Sequence, residues 1–456
     1  MHITKAISLF FKRFLPSPFT IAVVLTLFTM AMVFFFTDNP SQSPYFFTIL
    51  SYWEQGIWNT GLLVFAYQMM LILVLGHVLV LSRPMERLMV KVTRFASNTA
   101  TAAVLVAVST MLVSFCNWGL GLIFGALLAR KIAEHAQSNQ QPLNYPLIGA
   151  CGYVGLMVWH GGISGSAPLK VAEAGHIKSL MSAGAAQQFM VPDVLSTSET
   201  IFSPSNLVLF AMVLVTVGVV AFVLGKRTKP TKFTLAPYRF QPNTSVRPKG
   251  ADRLNYSQGL SILFATIIFL AFAVQYLPAV QKFHITPNTL NLFMLGMAIL
   301  LHGSFQSFLN AVEAAIGDVS GILIQFPLYF GIMGMMSSSG MIGQISDYFV
   351  SVSTPTTLPI FTFFSAGLVN IFVPSGGGQW AVQGPLVLQS AAALGVPYAK
   401  VVLALAYGDQ ITNMLQPFWA LPLLGITKLK AQEILPYTLI FMVVGALIYL
   451  FGLLVL

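Results

Sequence analysis

Charge is what this sequence has least of. Only 8% of its 456 residues are Asp, Glu, Lys or Arg, against roughly 25% in an ordinary soluble domain, which excludes a solvated globular surface. Cysteine is almost absent as well. Cys116 and Cys151 are the only two, and without metal-ligand spacing they exclude a disulfide framework and a zinc site. Both read as small apolar groups packed among helices. The glycine triplet Gly376–Gly378 lacks the Lys-Ser/Thr pair of a phosphate loop, so nucleotide binding is excluded too. What remains is apolar: 56% of the residues are hydrophobic, in runs of about 17 to 25 residues that match a hydrocarbon core of about 30 Å. The chain reads as an all-α, multi-pass integral membrane protein. Its first run, Phe19 to Phe36, is followed by no small-residue cleavage site and reads as an uncleaved span.

Five spans are expected in the first half: Phe19–Phe36, Ile57–Leu81, a hairpin over about 98–129, a broken helix over 146–169, and Asn206–Gly225. The second half holds Ser257–Leu277, Thr289–Leu301, Val319–Met341, a hairpin over about 358–394, a broken helix over 398–426, and Leu435–Leu456. With the N-terminus inside, 19 of the 23 Lys and Arg residues fall on the cytoplasmic side, leaving Lys170, Lys178, Lys282 and Lys400 outside. That asymmetry satisfies the positive-inside rule if each hairpin enters and leaves by one face. It also accounts for the net charge of +10 without a nucleic-acid partner. Residues 1–225 then form one repeat, and 257–456 hold an unmatched linking span, Ser257–Leu277, and a second repeat of opposite orientation, with a solvated basic linker over 226–256 that binds no specific partner joining the two. Such repeats place substrate and ion sites where they meet, at the midplane. Ser41–Gln55 and His302–Gly317 are expected as interfacial helices.

The chemistry concentrates at the breaks. Pro374-Ser375-Gly376-Gly377-Gly378 cannot continue a helix, since proline removes a backbone donor and glycine favours an open backbone. A half-helix starting there, or near Gly119, would aim unpaired amides and the positive dipole end at the midplane, which suits a small anion. Asn117, Ser375 and Gln379 can add directed hydrogen bonds. Trp118 and Trp380 either wall a short carbon chain or pack against neighbouring helices. A second break, Tyr407 to Pro417, carries Asp409, the one carboxylate expected at membrane depth. An ionisable group there marks an ion or proton path or a hydrogen-bonded structural carboxyl. Gln410, Thr412, Asn413 and Gln416 surround it. In the first-half break, His160 is either a proton carrier or a packing residue beside Trp159, and Ser164 and Ser166 are candidates for coordinating a carboxylate or cation.

Three stretches carry a family resemblance: residues 370–385 (Asn-Ile-Phe-Val-Pro-Ser-Gly-Gly-Gly-Gln-Trp-Ala-Val-Gln-Gly-Pro), 407–420 (Tyr-Gly-Asp-Gln-Ile-Thr-Asn-Met-Leu-Gln-Pro-Phe-Trp-Ala) and 160–169 (His-Gly-Gly-Ile-Ser-Gly-Ser-Ala-Pro-Leu). They resemble the bacterial short-chain fatty acid transporter family, the acetoacetate and butyrate uptake type, within the wider ion transporter superfamily. The resemblance implies inner-membrane uptake of small monocarboxylates by an elevator-like carrier, possible dimerisation, and no cofactor. The superfamily's dicarboxylate carriers use sodium at Ser-Asn-Thr tips. Here the tips read Cys116-Asn117-Trp118 and Pro374-Ser375-Gly376, so no sodium ligands carry over and the coupling cation is a proton or, as the alternative, sodium. The expected substrate-binding set is Asn117, Ser164, Ser166, Ser375, Gly376, Gly377, Gly378, Gln379, Thr412 and Asn413, with Asp409 and His160 as coupling residues. An ion channel and a membrane-embedded enzyme are the competing readings. The polar groups cluster at breaks and do not line a continuous path, and the nearest catalytic set, Ser164, His160 and Asp409, matches no hydrolase signature.

Overall fold

The computed structural model describes residues 17–39, 43–180, 191–236, 250–281 and 286–455. Lys5, Lys12, Arg13, Lys282, the start of the expected helix at Ser41 and linker residues 237–249 lie outside that set. The described residues are helical throughout their ordered elements, with no strand among them. Six helices are long and apolar enough to cross a membrane: Phe19–Phe36, Thr60–Leu79, Thr99–Cys116, Pro204–Arg227, Gln258–Pro278 and Ala431–Val455. Pro204–Arg227, with 24 residues, spans about 36 Å at 1.5 Å per residue, enough to cross the hydrocarbon with some tilt.

Local chemistry sets the boundaries. Asn98 and Thr101 form a capping box that starts Thr99–Cys116, satisfying donors that would otherwise be orphaned at a helix start. Gly303, at φ 71°, ends Pro287–His302, and the chain turns by 120° into Phe305–Ala315. The expected interfacial helix over His302–Gly317 is therefore a separate element from the span before it.

The order of elements recurs. Pro18–Phe36, Tyr45–Ile57, Thr60–Leu81, Arg83–Thr93, a helical hairpin, a broken segment and Pro204–Arg227 make one series. Pro287–His302, Phe305–Ala315, Ser320–Ser338, Met341–Ser351, a second hairpin, a second broken segment and Ala431–Val455 make the other, with Gln258–Val280 between them.

Packing sorts these elements into two groups. Around the hairpins, Thr99–Cys116 packs on Trp118–Ser138 and on Pro204–Arg227, and Leu358–Phe372 packs on Tyr398–Thr412. In the other group, Ser320–Ser338 packs on Tyr45–Ile57 and on Pro18–Phe36, and Pro287–His302 packs on Thr60–Leu81 and Gln258–Val280. Backbones approach closely where glycine allows it. A Cβ at Gly125 would lie 2.2 Å from the Gly152 carbonyl, and one at Gly408 would lie 2.1 Å from the Phe363 carbonyl. Small residues at such crossings are how membrane helices gain contact without a hydrophobic driving force.

Three expectations are corrected. The second break is shorter than Tyr407–Pro417, because Tyr398–Thr412 is one helix and the chain departs from it only at Asn413–Gln416. The polar run Gly408-Asp409-Gln410 is buried against other helices, and its hydrogen bonds to them do not require the backbone to open. Cys116 is exposed, not packed, whereas Cys151 is buried. The linker is not solvated along its length: Arg130 Nη2 donates to the Ala236 carbonyl at 2.9 Å, and Gln137 exchanges two hydrogen bonds with the Leu235 backbone at 2.9 and 2.8 Å. Leu235 is buried, so residues 229–236 strap the end of the first hairpin.

Candidate substrate cavity and buried polar cluster

The two hairpin breaks differ in size. In the first, only Asn117 leaves the helical path, and its side chain caps the next helix by accepting from the Leu120 N–H at 2.9 Å. The Trp118 N–H is taken by Ser164 Oγ at 3.0 Å, and the Phe115 carbonyl accepts from the Ile163 N–H at 2.7 Å. The first broken segment, comprising Tyr145–Cys151, a short turn at Val154–Met157, a loop and Ser166–Val171, is thereby fastened to that tip. In the second hairpin Val373-Pro374-Ser375 separate Leu358–Phe372 from Gly376–Leu394. Ser375 caps the new helix, its Oγ accepting from the Gly378 N–H at 3.2 Å and its carbonyl from the Gln379 N–H at 2.8 Å. The Gly376 and Gly377 N–H groups have no partner among the described residues.

Those two amides border a cavity of about 230 Å³. Helices that start at Trp118, Ser166, Gly376 and Pro417 all contribute to its wall. One side is polar: Ser166, Ser375, Gly376 and Gly377, with Ser166 Oγ 3.8 Å from where a Cβ of Gly377 would stand. The rest is apolar, from Phe65, Trp118, Trp159, Phe330, Phe418 and Trp419 with Leu62 and Met333. Trp118 and Trp419 meet edge to face at 5.1 Å, and Phe65 lies 6.2 Å from each. A second cavity of about 350 Å³ shares Leu62 and Met333 with the first and is lined by Tyr52, Gln55, Asn59, Ser337, Ser338 and Gly378 among others.

Directly behind Gly376 is a buried polar cluster. His160 Nδ1 meets Asp409 Oδ2, and both residues are buried. Gln410 Oε1 accepts from the His160 and Gly161 N–H groups at 2.9 and 3.1 Å. Asn370 Nδ2 donates to the Asp409 carbonyl, Thr412 Oγ1 and Asn413 Oδ1 at 2.7, 2.9 and 2.8 Å, and Gln416 Nε2 donates to the Asn370 carbonyl. The Tyr153 hydroxyl, from the first half, donates to the Asn413 and Gln416 carbonyls at 2.8 and 3.1 Å. Asn370 Oδ1 and Gln416 Oε1 are buried without a partner among the described residues, a cost that a buried acceptor normally avoids.

Of the residues expected to bind substrate, Ser166, Ser375, Gly376 and Gly377 border the smaller cavity and Gly378 the larger. The others sit elsewhere. Asn117 and Ser164 brace the first tip, Gln379 donates to the Ala366 carbonyl and to Gln383 at 2.8 Å each, and Thr412 and Asn413 hold Asn370. Asp409 and His160 are in contact with each other. Trp118 walls the cavity, whereas Trp380 donates to His176 Nε2 at 3.0 Å outside it. Burial lowers the His176 pKa below the ordinary histidine value, with nearby Lys170 adding to the effect. Phe65, Phe330 and Met333 had no signal in the sequence, being ordinary apolar residues of long helices. Phe418 and Trp419 could have been found as the aromatics directly after the Asn413–Gln416 break.

Paired hairpins and broken helices around a cavity lined by glycine, serine and aromatic residues define a multi-pass helical membrane protein of the carrier class. The chain belongs to the short chain fatty acid transporter family, whose sequence profile matches residues 1–456. It is 35% identical, over 99% of both chains, to a protein of Escherichia coli (strain K12) provisionally named short-chain fatty acid transporter. A Haemophilus influenzae protein of the same provisional name is 32% identical over 99% of both chains. Among solved structures, the YdaH transporter of Alcanivorax borkumensis aligns with 96% of this chain and 98% of its own at 14% identity and a TM-score of 0.41. MtrF of Neisseria gonorrhoeae, from a class of antimetabolite efflux pumps, aligns with 96% and 95% at 14% identity and a TM-score of 0.39.

Proposed function

We propose that the protein takes up short-chain monocarboxylates such as butyrate or acetoacetate across the bacterial inner membrane. The observation that carries this reading is the cavity lined by six aromatic residues and by Gly376 and Gly377, whose N–H groups have no partner among the described residues. The amides and the dipole of a 19-residue helix suit a carboxylate without a buried Lys or Arg. The rings suit a short alkyl chain. At about 230 Å³ the space equals roughly seven or eight water volumes of ~30 Å³ and falls below the ~300–1,000 Å³ of drug-sized sites, which favours acids of few carbons.

The recurring element order supports two repeats of opposite orientation. The separate packing of the hairpin-bearing group supports an elevator-like motion of that group against the other. A lone monocarboxylate moving inward works against about 2.3 kcal/mol per charge per 100 mV, so a cation travels with it, and Asp409 is the residue assigned to couple it. We take that cation to be a proton. Sodium is the second reading, favoured by the unpartnered oxygens of Asn370 and Gln416. The test is radiolabelled butyrate uptake into proteoliposomes, with saturation and counterflow expected. Sodium replaced by choline separates the two cations. Flux that grows linearly with concentration and shows no counterflow contradicts a carrier.

A further inference from the structure

Asp409 is the only buried carboxylate among the described residues, and its partner is a histidine held from several sides. His160 stacks on Trp159 with ring centroids 4.5 Å apart, its backbone N–H is fixed by Gln410, and its Nε2 accepts from the Ala167 N–H at 3.1 Å. A ring nitrogen that accepts a backbone N–H carries no proton, so the single proton of the neutral imidazole is on Nδ1, facing Asp409 Oδ2. That proton therefore lies between the ring and the carboxyl of Asp409, and both side chains are buried.

Gly376 lies against the same ring. A Cβ there would stand 2.8 Å from His160 Cε1 and 3.1 Å from Nδ1. One imidazole therefore lies between the Asp409 carboxylate and Gly376 of the cavity wall. Resting on the carboxylate site proposed above, we infer that docking a carboxylate on Gly376 and Gly377 makes Asp409 take up one proton, at Oδ1, and that His160 is the positioning residue joining the two events.

A carboxylate bound on Gly376 and the carboxylate of Asp409, one imidazole apart, oppose each other's ionisation, and one proton relieves both. Adding it to Oδ1 leaves the contact of Oδ2 with Nδ1 and the bond of Nε2 to Ala167 in place. Adding it to Nε2 would evict the Ala167 N–H and disturb Ser166–Val171, which carries Ser166 to the cavity. The other titratable groups around the pair are tyrosines and one lysine: Tyr153 donates to the Asn413 and Gln416 carbonyls, and Tyr449 of Ala431–Val455 stacks on Tyr407 at 4.4 Å. From Tyr398–Thr412 there is Tyr407, whose ring lies beside Gly161 and whose hydroxyl donates to Asn206 Oδ1 at 2.7 Å. From Ser166–Val171 there is Lys170, exposed and paired with Glu173 at 2.9 Å. Gly376–Leu394 has no titratable side chain. Substrate and proton enter from the same water, and the loaded site carries no more charge than the empty one.

The test uses the purified full-length protein in detergent, weakly buffered with a pH-indicator dye and titrated with sodium butyrate while calorimetry follows binding. Wild type should take up one proton per butyrate bound, and its affinity should fall tenfold per pH unit once the pair is deprotonated. Asp409→Asn should bind butyrate with no proton uptake and little pH dependence. His160→Ala should shift the pH profile, and His160→Asn, which keeps a donor toward Asp409, should restore it in part. Butyrate binding by wild type without proton uptake overturns the inference and leaves the carboxylate site standing. Proton uptake that persists in Asp409→Asn overturns it as well. No butyrate binding by wild type at all removes the carboxylate site itself.

Discussion

His160 and Asp409 lie 249 positions apart and touch through Nδ1 and Oδ2 with both side chains out of water. The contact joins the loop of the first broken segment to the intact helix Tyr398–Thr412, so the two halves of the chain meet at an ionisable pair. Breaking such a pair by removing one partner leaves an uncompensated buried group, which is why conservative substitutions are the informative ones.

Asp409→Asn keeps the shape of the side chain while removing its titration. Gradient-driven accumulation of butyrate should fall to the level set by equilibration, while exchange of internal for external butyrate continues. Paired uptake and counterflow assays on the same proteoliposomes check this. Accumulation that still follows an imposed pH or sodium gradient would make Asp409 structural.

Gly377→Val places a branched side chain where the carboxylate approaches the amide. The expected effect is a rise in the KM for butyrate of about tenfold or more, since losing ~1.4 kcal/mol of binding is a factor of ten. Unchanged saturation in a well-expressed variant would argue against the amide site.

Gly408→Ala tests packing and not binding. Its Cβ would lie 2.1 Å from the Phe363 carbonyl, and overpacking of this kind typically costs about 1–3 kcal/mol. Thermal unfolding in detergent should show a lowered midpoint, whereas Gly343→Ala, with open space around it, should not.

Orientation is tested by cysteine labelling in whole cells after replacing Cys116. A cysteine at Lys428 should react only with a permeant reagent, and one at Lys170 with an impermeant one. Both are exposed. The reverse pattern would invert the assigned topology.

How much of this was legible follows from what each feature depends on. Long apolar helices such as Pro18–Phe36 and the hairpin break at Pro374-Ser375 depend on local composition and backbone chemistry, which the sequence displays. The run Tyr407–Gln410 looked like a break because polar residues and a glycine interrupt an apolar stretch. In the fold it stays helical, with Gly408 making room for Phe363 and Gln410 serving the His160 and Gly161 amides, and neither contact is visible before the chain is folded. Phe65, Phe330 and Met333 belong to helices far away in sequence. Only packing makes them part of the cavity. The strap at residues 229–236 was hidden for the same reason, because its partners Arg130 and Gln137 lie about 100 positions earlier.

The position of a bound carboxylate tests the central claim most directly. A crystal grown with trans-3-bromoacrylate, a short acid whose vinylic bromine cannot be displaced by its own carboxylate and is located by its anomalous scattering, should place the carboxylate on the Gly376 and Gly377 amides. The bromine should lie among Phe65, Trp118 and Trp419. A ligand found only in the larger cavity, between Gln55 and Ser338 with the two glycine amides unengaged, would contradict the account.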